Sequence, residues 1–94
     1  MFDANDFKCL DPAYFNVIAA NEYDVTVMSL NSGHYWYLHN PEYPDKGTVI
    51  IFHAHHADRT GQIQYHLHGR VNTLRQAVRG IKKHDKWQMK GGKC

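Results

Sequence analysis

The chain has 94 residues, 43% of them hydrophobic and 13% aromatic, which suits one folded domain and excludes a disordered chain. Its net charge is only +2, yet it is split: residues 1–47 carry two lysines against seven carboxylates, or −5, and residues 48–94 carry nine cations against two, or +7. No stretch approaches the roughly 20 apolar residues of a membrane span, and Met1-Phe2-Asp3-Ala4-Asn5-Asp6 lacks the basic and apolar runs of a signal peptide, so a cytoplasmic protein is expected.

Residues 1–12 read as a polar N-terminal segment closed by Asp11-Pro12, a turn signal. A first strand is expected over 14–20 and a second over 23–30, separated by Asn21-Glu22. Asn31-Ser32-Gly33 is turn chemistry, since Asn and Gly tolerate positive φ. The third strand, 34–39, is rich in aromatics (Tyr35, Trp36, Tyr37), and His34 and His39 at its ends read as structural. Residues 40–47 hold Pro41 and Pro44 and must be a loop.

Residues 48–57 and 63–69 read as a β-hairpin with Thr60-Gly61 as a two-residue loop. Arg59 then faces Gln62, His53 faces His68 and His55 faces His66. Side chains alternate across a strand, so these four imidazoles share one face, with Phe52, Ala54, Ile63, Tyr65 and Leu67 on the other. His56 falls on the apolar side near the hairpin end.

The period then changes. Leu74, Ala77, Val78 and Ile81 sit at i, i+3, i+4 and i+7, one helical stripe, with Asn72 or Thr73 as N-cap. This helix should fade near Trp87 and leave 88–94 as a tail, with His84 placed to interact with the C-terminal carbonyls. The expected fold is α+β: one domain, an antiparallel meander of four to five strands with one C-terminal helix on one face. The helix is expected on the side of Phe52, Tyr65 and Leu67, leaving the imidazole face open to solvent or a partner.

Neutral imidazole is a common zinc ligand, with bonds of about 2.0–2.1 Å. His53, His55, His66 and His68 are therefore the candidate metal ligands, with Zn2+ in a structural role and water, a carboxylate, Cys9 or His84 completing the shell. A three-histidine zinc can also activate water, which makes a zinc-dependent hydrolase one alternative. No glutamate lies near the cluster, and there is no phosphate loop or nucleophile motif, so a non-enzyme is the leading reading. Cys9 and Cys94 make no disulfide framework and fit a reducing compartment.

Two binding surfaces suggest themselves. Arg59, Arg70, Arg75, Arg79, Lys82, Lys83 and Lys86 could contact nucleic-acid phosphates, with Tyr35, Trp36 and Tyr37 offering stacking surface. Asp3, Asp6, Asp11, Glu22, Asp24, Glu42 and Asp45 could instead meet a basic channel of a protein partner. With its His53/His55/His56 and His66/His68 clusters backed by the Leu74–Ile81 helix, the C-terminal half resembles the anti-CRISPR proteins of phages and mobile elements, in particular metal-binding inhibitors of type II Cas9. That family has no common motif, so it assigns no site residues here. The resemblance implies stoichiometric inhibition by protein–protein contact, through blocked guide or target-DNA loading, in the cytoplasm of a bacterial host.

Overall fold

The computed structural model describes residues 2–41, 48–55 and 57–90, excluding the side chain of Met89. Its elements are α1 (Ala4–Phe7), β1 (Phe15–Ala20), β2 (Asp24–Ser29), β3 (Tyr35–His39), β4 (Val49–Ala54), β5 (His66–Val71) and α2 (Leu74–Met89). The strands lie side by side in chain order, each antiparallel to the next, with α2 over one face. This is the meander-plus-helix α+β architecture that the alternation and the change of period require.

Strand burial follows the two-residue period. Val25, Val27 and Ser29 on β2 and Trp36 and Leu38 on β3 are buried, while their neighbours are half-exposed. The turn between these strands is set by Gly33 at φ +74, the left-handed region that Gly adopts without a Cβ penalty. On α2, Thr73 is the N-cap: it is extended and its hydroxyl accepts the N–H of Gln76 at 3.1 Å. Leu74, Ala77, Val78 and Ile81 all pack into the core. The helix continues through Met89, past Trp87, so residues 88 and 89 are helical and not tail; residues 91–94 lie outside the described residues.

The polar N-terminal segment holds a short helix that periodicity does not reveal. In α1, Asp3 and Asp6 cap each other, Asp6 N–H donating to Asp3 at 2.9 Å and Asp3 N–H to Asp6 at 2.8 Å. Phe2 and Leu10 on either side of it enter the core.

Two expectations about the hairpin are corrected. First, the helix covers the opposite face. Val49, Ile51 and His53 alternate inward on β4, beside Trp36 and Leu38, and all are buried against or beside α2, whereas Leu67 is 62% exposed. The deciding factor is the whole sheet: Val25, Val27, Trp36 and Leu38 make an apolar face on β2 and β3 that must be covered, and His53 shares it because it pairs with Trp36.

Second, the register differs. The turn is a five-residue loop, 58–62, closed by Asp58 N–H to the Gln62 carbonyl at 2.8 Å, and Ala57 bridges to Ile63, one residue short of the expected partner. The Asp58 carboxylate organises it by accepting the Thr60 N–H, the Thr60 hydroxyl and the Gln62 N–H. An Asx-type loop thus outcompetes the two-residue turn. Ile51 pairs with Gly69 but Phe52 with Leu67, so His68 is a bulged extra residue and His53 faces His66, not His68.

Candidate metal centre

The bulge decides what the histidines can do. Leu67 faces Phe52 on the open side, which puts His66 opposite His53 on the helix side. His68, unpaired in the ladder, also turns its ring inward, against Trp36, His53 and His84. The four histidines singled out from the sequence therefore do come together, with ring centroids 5.1 Å (His55), 5.3 Å (His66) and 5.7 Å (His68) from His53.

Two further histidines join them. His34, buried just before β3, puts its Nδ1 2.9 Å from Nε2 of His53, and its ring stacks on His55 with centroids 4.6 Å apart. His84 reaches in from α2, 5.0 Å from His53 and 5.1 Å from His68. Both are readable in principle. Trp36 pairs with His53 in an antiparallel ladder, so two residues back His34 must approach His55. His84 and Asp85 sit three and four residues after Ile81 and so continue the buried stripe.

His53 is the centre of this group. It is 0% exposed and stacks on the Trp36 indole with centroids 4.1 Å apart. Burial, reinforced by repulsion from His34, His84, His55 and His66, pushes its pKa from 6.5 down to about 3. Burial also lowers His68 and His84, the latter opposed by the adjacent Asp85 carboxylate. His53 is thus held as neutral imidazole, the form a metal needs. Ligand nitrogens of His34, His53 and His55 lie within 4.8 Å of one another, so these three could hold a metal ion.

Asp85 stands beside the cluster, fully buried. Its carboxylate accepts the Tyr14 hydroxyl at 2.6 Å and the Ser32 hydroxyl at 2.9 Å, tying α2 to the start of β1 and to the β2–β3 turn. Desolvation and this bond raise Tyr14 to about 12. His39 belongs elsewhere: on the open face it and Tyr37 share the Asp24 carboxylate, His39 at 2.7 Å. Tyr37, first among the causes, holds Asp24 below its usual value.

The remaining candidates scatter. Cys9 is absent from the imidazole contacts: its thiol donates to the Asp6 carbonyl at 2.8 Å, burial raises its pKa, and it lines a cavity of about 420 Å³ with Arg75 and Arg79. Asp3 and Asp6 cap α1, and Asp11 accepts the Ala13 N–H. Glu22 is exposed, and Glu42, Asp45 and His56 lie outside the described residues. Arg59 and Arg70 are exposed on the hairpin, and Arg75, Arg79, Lys82, Lys83 and Lys86 on α2. Trp36 is core, not stacking surface.

No family model, curated protein or solved structure matches the chain.

Proposed function

We propose that the protein is a zinc-binding domain in which His34, His53 and His55 hold one structural ion, with His84 and His66 nearest to completing its shell. The observation that carries this reading is the 2.9 Å approach of His34 Nδ1 to His53 Nε2 with His55 stacked alongside. Zinc bonds of about 2.0–2.1 Å in tetrahedral array separate ligand nitrogens by about 3.3 Å. The His34–His53 pair needs to open only slightly to accept the ion, and His55, in the bend after β4, is placed to close on it. Such an ion would fasten the approach to β3 onto the end of β4.

Tag-free protein stripped with EDTA is expected to take up one Zn2+ per chain by calorimetric titration. At a hundredfold excess over Kd that binding contributes about 2.7 kcal/mol, a rise in Tm of roughly 10 °C or more for a domain this long. His55→Ala should abolish the rise while leaving the metal-free Tm nearly unchanged. No uptake and no rise in the wild type would sink the assignment.

The action we propose is stoichiometric binding to a protein, not catalysis. Support comes from the carboxylate chemistry: Asp85, adjacent to His84, has both oxygens engaged by Tyr14 and Ser32 and is no free general base. It comes also from an acidic corner, where the Phe2 N–H donates to the Glu22 carbonyl and brings Asp3 beside Glu22, with Asp24 following two residues on. Cas9 is the partner we propose, on the resemblance of the His53–His68 sequence clusters to anti-CRISPR proteins alone. Equimolar protein, mixed with Cas9 before guide and target DNA, is expected to suppress cleavage, and Asp3→Lys with Glu22→Lys to restore it. Full cleavage at tenfold excess of the wild type would exclude this partner.

A further inference from the structure

The histidine centre leaves the outer face of α2 unexplained. At 100° per residue, Arg75, Arg79, Lys82, Lys83, Lys86 and Lys90 all fall within an arc of about 100°, away from the buried stripe of Leu74, Ala77, Val78 and Ile81. All six are exposed. With a rise of about 1.5 Å per residue, the track from Arg75 to Lys90 is about 22 Å long.

Two cavities flank this track and share Lys82. One, of about 420 Å³, is lined by Lys8, Cys9, Asp11, Arg75, Val78, Arg79 and Lys82. The other, of about 440 Å³, is lined by Tyr14, Asn31, Lys82, Lys86 and Lys90. Across both, Asp11 is the one carboxylate against six cations. Among the described residues none of these cations is in an ion pair; Lys82 lies over the Tyr14 ring, 5.1 Å from its centroid. Like charges kept one helical turn apart without counter-charges repel one another, and a polyanion relieves that repulsion along its length.

We infer that this face binds the phosphate backbone of duplex DNA. Each strand of a duplex carries a phosphate about every 3.4 Å of axis, so a 22 Å track faces about six of them. A single strand would want free rings between the cations; here the Tyr14 ring is already covered by Lys82 and tied to Asp85, and Trp87, 47% exposed, lies beside the track against His84 with centroids 5.5 Å apart. An anionic membrane would want an apolar helix face to insert, and that face of α2 is already in the core. Backbone contacts carry no sequence information, so the binding is sequence-independent and strongly salt-dependent.

Fluorescence anisotropy with a labelled 20-base-pair duplex, zinc present throughout, tests this. The wild type is expected to bind at 50 mM salt with log K falling steeply against log salt. Arg79→Glu with Lys86→Glu should weaken binding at least tenfold and flatten the slope by about 2, near 0.9 for each phosphate no longer neutralised. Lys83→Glu with Lys90→Glu, an independent pair on the same track, should do the same should the first pair fold poorly by melting curve. Arg59→Glu with Arg70→Glu, the same charge change off the track, should stay within threefold of wild type. No duplex binding at 50 mM salt, an equal loss in the Arg59/Arg70 variant, or tighter binding to single strands or to phosphatidylserine vesicles would each overturn the assignment. None of these variants touches a histidine, so the outcome is independent of the zinc titration.

Discussion

Replacing His53 with alanine is expected to destabilise the metal-free fold by about 3–5 kcal/mol, the range for truncating a large buried ring. His53 is fully buried between Trp36 and the imidazoles of His34 and His84. The truncation opens a cavity against the Trp36 face and removes the ring nitrogen that His34 meets at 2.9 Å, leaving a buried polar atom to be satisfied anew. With single domains stable by roughly 5–15 kcal/mol, and each kcal/mol worth about 4–8 °C in Tm for a domain of this length, the loss is visible by thermal melting in EDTA. Zinc should rescue nothing. His66→Ala, at an exposed position, provides the contrast: a small change in metal-free Tm. A metal-free His53→Ala Tm within a degree or two of wild type would show that the ring is not a core element.

The second large effect is acid lability. His53 has a folded pKa of about 3 against an ordinary 6.5, so below pH 6.5 the unfolded chain takes up a proton that the folded chain refuses. Stability is therefore fully present above pH 6.5 and falls as the pH drops toward 3. At 1.36 kcal/mol per unit, His53 alone accounts for about 3 kcal/mol between pH 6.5 and pH 4.5. His68 and His84, also lowered, add in the same direction. Asp24, held below its usual value by Tyr37, adds a further loss only in stronger acid. Denaturant melts of metal-free protein at pH 7.5, 6.0 and 4.5 should show a flat or slowly falling region followed by a steep one. An unfolding free energy independent of pH across that range would mean the imidazoles are solvated in the folded state.

The architecture is legible in the sequence because its signals are local and redundant. Alternation marks Val25–Ser29 and Tyr35–Leu38, the 3-4 spacing marks Leu74–Ile81, and Asn31-Ser32-Gly33 marks the turn. What escapes a local reading depends on comparing elements distant in sequence. The hairpin alone has two candidate inner faces, and only the apolar residues of β2 and β3 decide between them. The loop is hard to foresee because Asp58 looks like an ordinary charge, whereas its carboxylate closes three hydrogen bonds. At His53 the pairing is slipped by two residues from the simple register, to His66 in place of His68, and a slip of two keeps each side chain on its original face, which is why the four histidines still meet. His34 looks like a mere strand-end residue until its partner on the neighbouring strand is considered.

The sheet is irregular on β1 as well, at Ile18, between the Val17↔Val27 and Ala19↔Thr26 pairs. It lies on the outermost strand of an open meander, where Val17 and Ile18 are 41% and 50% exposed. A straight, apolar outer strand is a template on which other chains add by backbone pairing. The extra residue breaks the regular spacing of free N–H and C=O groups along that margin, so an incoming strand finds no continuous register. The kink thus bears on solubility: it protects a margin of the sheet whose side chains would otherwise invite fibrous self-association.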